Sequence, residues 1–351
     1  MKTHRVLKTT LAAACAMVPL SAAVAHHGGV SAAFGPGAPI ETSSPLTLPK
    51  GKFLLYERVE VSPFKKFGDG RDNGGNDKFT FTNTLFGYGI TDAVSAYVSL
   101  PYAQKDLLAY DGDGNPSDAY DAGTSQGFGD INLILHYGFK FGARDGFTGW
   151  YSLDADDTAG EEYTLPQWKF GLSFSMTLPS GNIHNRDSNG NVYGVGSQTG
   201  FAVPAYNITG MVSKMIAPHW TWNADVQYRT FAFNGGPGGG KPGNETRINN
   251  AIMYEAIENQ GGFLSRLDLV LEANVLDLRM DMDETREQDT ATGGTMLYLS
   301  PGIRFTFNDR TSLGLLYKEI VWKDLNDEPN QQGGEGLEEY RFIATLSTTF
   351  G

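Results

Sequence analysis

Eight cations and seven anions fall at alternating positions of the chain, on the same side as its serines, threonines and glycines. The cations are Arg58, Lys169, Arg229, Arg247, Arg266, Arg304, Lys318 and Arg341. The anions are Glu60, Asp130, Asp225, Glu255, Asp268, Glu272 and Glu339. A ring of one sign would filter ions of the other, whereas mixed signs in near-equal number neutralise one another. This set points to a network of ion pairs, with a polar path lined by the same residues as the sharper alternative.

Three smaller constellations could carry other chemistry. His136 follows Asp130 and Asn132, and a His with an acid could activate a serine such as Ser173 or Ser175. Acyl transfer also needs that serine within hydrogen-bond reach and donors for the oxyanion, and no local Ser–His motif supplies them. His136 therefore reads as a hydrogen-bonded interior histidine, and no catalytic residue is assigned. Asp111, Asp113, Asn115 and Asp118 resemble the start of a calcium loop, with oxygen ligands at its first, third and fifth positions. Pro116 replaces the glycine needed for the sharp turn and Ala122 the bidentate glutamate, so a solvated acidic loop tip is the plainer reading. His26-His27 lacks a third ligand. No cofactor or structural metal is expected.

The elements that must hold these residues are β-strands. Tyr340 to Phe350 alternates Tyr340, Phe342, Ala344, Leu346 and Thr348 with Arg341, Ile343, Thr345, Ser347 and Thr349. A strand turns successive side chains to opposite faces, so one face is apolar and the other largely polar. Its length suits a tilted bilayer crossing, and closing on Phe350 it resembles the C-terminal insertion signal of outer-membrane barrels, apart from the extra Gly351. The pattern repeats. Trp168, Phe170, Leu172, Phe174, Met176 and Leu178 alternate with Lys169, Gly171, Ser173, Ser175 and Thr177. Further strands are expected at Phe53–Val61, Phe79–Ile90, Val94–Tyr102, Ile131–Phe139, Tyr206–Val212, Trp220–Tyr228, Ile248–Tyr254, Leu267–Val275, Leu297–Phe307 and Leu313–Val321, twelve in all. Phe79, Phe81 and Leu85 face away from Phe86, Tyr88 and Ile90, which requires either a bulge or a partly apolar interior.

Connections separate a barrel from a soluble sandwich. Tight turns at 89–92, 216–219 and 308–311 alternate with polar loops at 62–77, 105–126, 180–198, 234–246, 277–293 and 323–337. Short turns on one side and long loops on the other are the habit of outer-membrane barrels; a sandwich has no reason for it. The acidic connection 141–162 breaks the alternation and reads either as a hairpin extension or as a slip of two strands in the count. Residues 1–25 have a basic head, a short apolar stretch and small residues ending at Ala25, which is a secretory signal peptide. It holds the only cysteine, Cys15. Its three cations and no acid mean that cleavage takes the net charge from −13 to −16. So acidic an exported chain is a poor nucleic-acid partner.

The fold expected is an all-β, transmembrane, antiparallel up-and-down barrel over 51–351, in the bacterial outer membrane, behind an irregular leader at 26–50. Its lumen-lining residues are expected to be Asp130, His136, Lys169, Asp225, Arg229, Arg247, Glu255, Arg266, Asp268, Glu272, Arg304, Lys318 and Arg341. The leader carries Phe34, Ile40, Leu46 and Leu48 among Gly and Pro. A free tail gains nothing from such residues, so part of it is expected inside the lumen against an apolar patch such as Phe79, Phe81 and Leu85.

Several motifs also occur in order: Leu48-Pro49-Lys50-Gly51, Gly87-Tyr88-Gly89-Ile90-Thr91-Asp92, Ser99-Leu100-Pro101-Tyr102, Gly127-Phe128-Gly129-Asp130-Ile131, Thr177-Leu178-Pro179-Ser180-Gly181 and Ser300-Pro301-Gly302-Ile303-Arg304. Together they resemble the meta-pathway phenol degradation family of outer-membrane proteins. The resemblance implies a barrel for uptake of small hydrophobic or aromatic compounds, without a catalytic motif. A sealed structural or surface-interaction barrel and an outer-membrane lipid hydrolase are the rival functions. Expected partners are outer-membrane lipids and lipopolysaccharide, the barrel-assembly machinery and a small hydrophobic solute, with no nucleic acid.

Overall fold

A computed structural model describes residues 38–64, 75–110, 119–142, 146–149, 168–190, 192–193, 197–201, 203–234, 240–259, 262–283, 285–307, 310–327 and 336–351. The expected signal peptide, the first part of the leader and the calcium-loop candidates Asp111, Asp113, Asn115 and Asp118 lie outside this set.

Every regular element among the described residues is a strand of appreciable length or a short bridge-forming strand. In chain order they are β1 (Phe53–Pro63), β2 (Gly75–Thr91), β3 (Val94–Tyr110), β4 (Ala119–Phe128), β5 (Asn132–Gly142), β6 (Gly146–Gly149), β7 (Trp168–Thr177), β8 (Ala205–Ala217) and β9 (Trp220–Phe231). They continue with β10 (Gly240–Lys241), β11 (Glu245–Glu258), β12 (Leu264–Leu278), β13 (Asp281–Asp283), β14 (Gln288–Asp289), β15 (Gly294–Phe307), β16 (Thr311–Leu325) and β17 (Arg341–Phe350). Twelve of these form a closed antiparallel barrel. The barrel runs β1-β2-β3-β5-β7-β8-β9-β11-β12-β15-β16-β17, and β17 returns to β1. In that closing pair Phe53 lies opposite Phe350 and Val61 opposite Phe342. Closure leaves no open sheet edge around the ring, the condition for a sheet in hydrocarbon.

The alternation decides which side chains face out. Leu172 and Phe174 on β7 are half exposed while Ser173 and Ser175 between them are buried. The same holds for Leu269 and Leu271 on β12 against Asp268, Val270 and Glu272. Aromatic pairs ring both ends of the wall. Phe53 sits 4.9 Å from Tyr88 and 5.8 Å from Phe350 at the short-turn end, with Trp220 4.8 Å from Tyr254. Tyr102 meets Phe128 at 5.5 Å toward the long-loop end. Such girdles mark the two interfaces of a bilayer. Glu57, which interrupts the outward face of β1, accepts a hydrogen bond from Thr84 Oγ1 at 3.0 Å.

The structure corrects several expectations. Residues 105–126 are not a loop throughout: β3 continues to Tyr110 and pairs with β4 as a hairpin extending beyond the expected strand. The external 277–293 segment contains β13 and β14, which join β10 in a small separate sheet. The 141–162 connection starts with β6, which folds back on β5, while β5 pairs directly with β7; the count of twelve therefore does not slip. No bulge separates Phe79 from Phe86 on β2, so Phe79, Phe81 and Leu85 point inward and the lumen is partly apolar. Glu339 is exposed and its neighbour Glu338 is buried instead. Strand alternation does not extend to Glu339, because β17 begins only at Arg341.

Candidate functional site

The candidate site is the barrel interior, and it is occupied by the chain itself. Residues 38–49 are buried without exception. These described leader residues form no strand, so their amides lack ladder partners and must find others once shielded from water. Wall side chains supply them. Glu272 on β12 accepts the Ile40 amide at 2.7 Å and the Glu41 amide at 2.9 Å through Oε1. Through Oε2 it accepts the amide and hydroxyl of Thr42, each at 2.6 Å. Asp225 on β9 takes the Ser43 amide at 2.5 Å, and Gln227 and Asn249 each donate to its other oxygen at 2.9 Å. Arg304 on β15 donates to the Pro39 carbonyl at 2.6 Å, and Lys318 on β16 pairs with Glu41 at 2.6 Å. Nearer the first strand, Leu48 donates to Ser95 Oγ at 2.8 Å.

Apolar contacts fix the same path. Ile40 joins Met253, Val270, Leu316 and Ile343, while Leu48 joins Leu54, Tyr56, Leu85, Tyr97, Ile134 and Met211. The leader thus crosses the barrel from the β1–β3 side to the β12–β16 side. His136 lies under it. A Cβ on Gly171 would fall 2.9 Å from Pro45 Cα and 3.3 Å from His136 Cε1, so glycine is what lets the leader approach the wall here. Ser173 lies opposite His136 in the ladder, yet its hydroxyl donates to the Leu135 carbonyl at 3.3 Å.

Beyond the leader lies a second layer of charge. Glu60 pairs with Arg58 at 2.7 Å and with Arg341 at 3.1 Å. Arg341 also meets Glu338 at 2.5 Å, and Glu338 accepts the Tyr298 hydroxyl at 3.0 Å. Lys318 stands 4.2 Å from the centre of the Tyr298 ring. These pairs adjoin an apolar cluster of Phe64, Phe79, Phe81, Leu276, Leu278, Met296, Leu325 and Leu337. Phe79 and Phe81 thus belong to a patch separate from the leader's, while Leu85 does meet Leu48.

The remaining charges distribute around the wall. Arg247 forms a close ion pair with Glu245. Arg266 bridges Glu255 at 2.7 Å and Asp268 at 2.8 Å. Arg229 stacks over Phe231, 4.8 Å from its ring centre. Lys169 lies opposite Lys140 and Ser213 in the ladder, partly exposed. Asp130 is not on a strand. It sits in the short break between β4 and β5 and accepts the amides of Gly181 at 2.7 Å and Phe201 at 2.8 Å. It thereby gathers the segment after β7, whose Gln198 carbonyl accepts Lys105 Nζ at 2.8 Å. Glu41, Lys105, Glu245 and Glu338 are partners that the sequence reading did not assign. Glu41 and Glu338 lie outside regular strands, and Lys105 and Glu245 fell in stretches expected to be loop, whereas β3 runs on to Tyr110 and β11 begins at Glu245.

Outside the barrel wall, Asp281 of the small loop sheet accepts the Gly243 amide at 2.6 Å. Burial pushes its carboxyl up to about 7, the Gly243 amide opposes that, and the nearby Asp289 adds to it.

No protein-family model matches the chain, and no curated protein matches its sequence. Solved structures do resemble it. The COG4313 outer membrane channel from Pseudomonas putida F1 superposes with a TM-score of 0.57 at 12% identity, over 90% of this chain and 99% of that one. The NanC porin gives 0.40 at 9% identity, over 84% and 98%. A TodX deltaS2S3 mutant monoaromatic hydrocarbon channel gives 0.39 at 10%, over 93% and 99%. Of these three, the first superposes closely enough to bear on architecture. The likeness establishes the fold: a closed, twelve-stranded barrel of the outer-membrane type.

Proposed function

We propose that the protein is an outer-membrane channel for small hydrophobic compounds, aromatic ones included, which cross by passive diffusion. The observation that carries this reading is the apolar cluster inside the barrel around Phe79, Phe81, Met296 and Tyr298. A pore for hydrophilic solutes gains nothing from inward phenyl and thioether groups, whereas an apolar solute needs a surface less polar than a ring of ion pairs. The ordered motifs that resemble those of the meta-pathway phenol degradation family imply the same solute class. On this reading the leader is a plug lying across the path, and outer-membrane lipids, lipopolysaccharide and the barrel-assembly machinery are its surroundings and its route there.

A specific observation favours a second reading. Residues 38–49 and the paired charges fill the interior, which is what a sealed structural barrel would show. Uptake of a panel of aromatic and aliphatic compounds, in a deletion strain and its complemented parent, separates the two. Faster uptake of apolar members on complementation supports the channel. Equal uptake across the panel, with no openings in planar bilayers, returns the barrel to a structural role.

A further inference from the structure

At the short-turn end of the wall, beside the Arg266–Asp268 pair, three side chains from two parts of the chain converge. His219 occupies the turn between β8 and β9, and its carbonyl accepts the Glu255 amide at 2.8 Å. That bond ties the turn to the end of β11. The Nδ1 atom of His219 then lies 3.2 Å from Oε1 of Glu255. Glu258, three residues on, would point to the other face of a regular strand. The register shifts between Glu255 and Ile257, so Glu255 lies opposite Asp268 and Glu258 opposite Arg266. One extra residue in the strand brings both carboxylates to the same side.

We propose that His219, Glu255 and Glu258 form a binding site for a divalent transition-metal ion of the zinc class. One ligand atom from each lies within 4.8 Å of the other two. Two atoms bound to one zinc at about 2.0–2.2 Å stand at most about 4.4 Å apart, so small rotations of the exposed His219 and Glu258 close the set. Arg266 holds Oε2 of Glu255 at 2.7 Å and so presents Oε1 toward the imidazole, the orienting role that a neighbour of a metal ligand plays. An imidazole with two carboxylates suits a borderline ion; calcium would ask for six or more oxygens. Water completes the coordination, and the bound ion clamps the β8–β9 turn to the end of β11.

The test is calorimetric titration of the refolded, detergent-solubilised protein with zinc chloride, with magnesium chloride as control. It is carried out in a His26→Ala/His27→Ala background so that the leader histidines contribute nothing. His219 has a left-handed φ of 63°, so His219→Asn keeps the turn, since asparagine tolerates that conformation. One zinc per chain is expected, weakened at least tenfold by His219→Asn and by Glu258→Gln. A parent that does not saturate below millimolar zinc, or a His219→Asn variant that binds as tightly, overturns the site. A second measurement needs no variant: zinc, and not magnesium, should slow carbethoxylation of His219 by diethylpyrocarbonate, read by mass spectrometry. Unchanged modification with zinc present also overturns the proposal.

Discussion

The two faces of the barrel wall obey different rules, and β7 displays both. Leu172 and Phe174 are 52% and 51% exposed on one side, while Ser173 and Ser175 are 6% and 5% exposed on the other. Hydrocarbon is an undirected solvent, so the outward face needs apolar groups and no particular partners. The inward face meets the leader and its own opposite wall, where each donor needs a named acceptor. Glu272 illustrates the demand: one carboxylate receives four hydrogen bonds from three successive leader residues. The outer face therefore tolerates exchange among apolar groups but not a charge, while the inner face admits polar groups and is sensitive where a partner of the leader is lost.

The contrast is sharpest at Leu172. Leu172→Arg should hinder folding into lipid vesicles, because a cation on the lipid side near mid-depth costs about 2–4 kcal/mol. Ser173→Arg, one residue along, should still insert. Equal loss of folding for the two, measured by urea titration in vesicles, would erase the distinction between the faces.

Removing residues 26–45 tests the inward face as a whole. The truncated barrel should fold, since its wall pairs without the leader, and its conductance in planar bilayers should rise. Conductance unchanged from the full chain would mean that the leader does not limit the path.

A smaller change addresses one anchor. Glu272→Ala leaves the amides of Ile40, Glu41 and Thr42 without their acceptor, at about 1–3 kcal/mol for each buried donor. The leader should then become open to added protease while the barrel resists it, with Glu272→Gln intermediate. A leader equally protected in both variants would place its anchorage elsewhere, in the apolar contacts of Ile40 and Leu48.

The smallest effect is expected outside the wall, at Asp281. Its carboxyl is raised from 3.8 to about 7, so the folded loop sheet holds more protons than the unfolded loop between those values. Its stabilising contribution is complete below pH 3.8 and fades as pH rises through 7. Hydrogen exchange around Gly243 should therefore quicken over that window by more than the ordinary pH dependence of exchange, and Asp281→Asn should remove the excess. A variant with the same excess would assign the dependence to another group.

Much of this protein is written in its sequence, because strand alternation is a local property. Period two alone sorts Leu269 from Asp268 and Phe342 from Arg341, and twelve apolar rows with short and long connections imply the closed barrel. The near balance of inward charges likewise implied pairing. Which charge meets which did not follow. Glu60 finds Arg341 across the β1–β17 closure, 281 residues away in the chain, and Lys318 finds Glu41 on a segment with no periodicity at all. Asp130 shows the limit most plainly: its place in the alternation suggested a lumen-lining strand residue, yet it gathers the Gly181 and Phe201 amides in a break between strands. The direction of a side chain is set by its immediate neighbours along the strand. Its partner is set only when the ring closes and the leader is threaded through it, and that is decided by the tertiary structure.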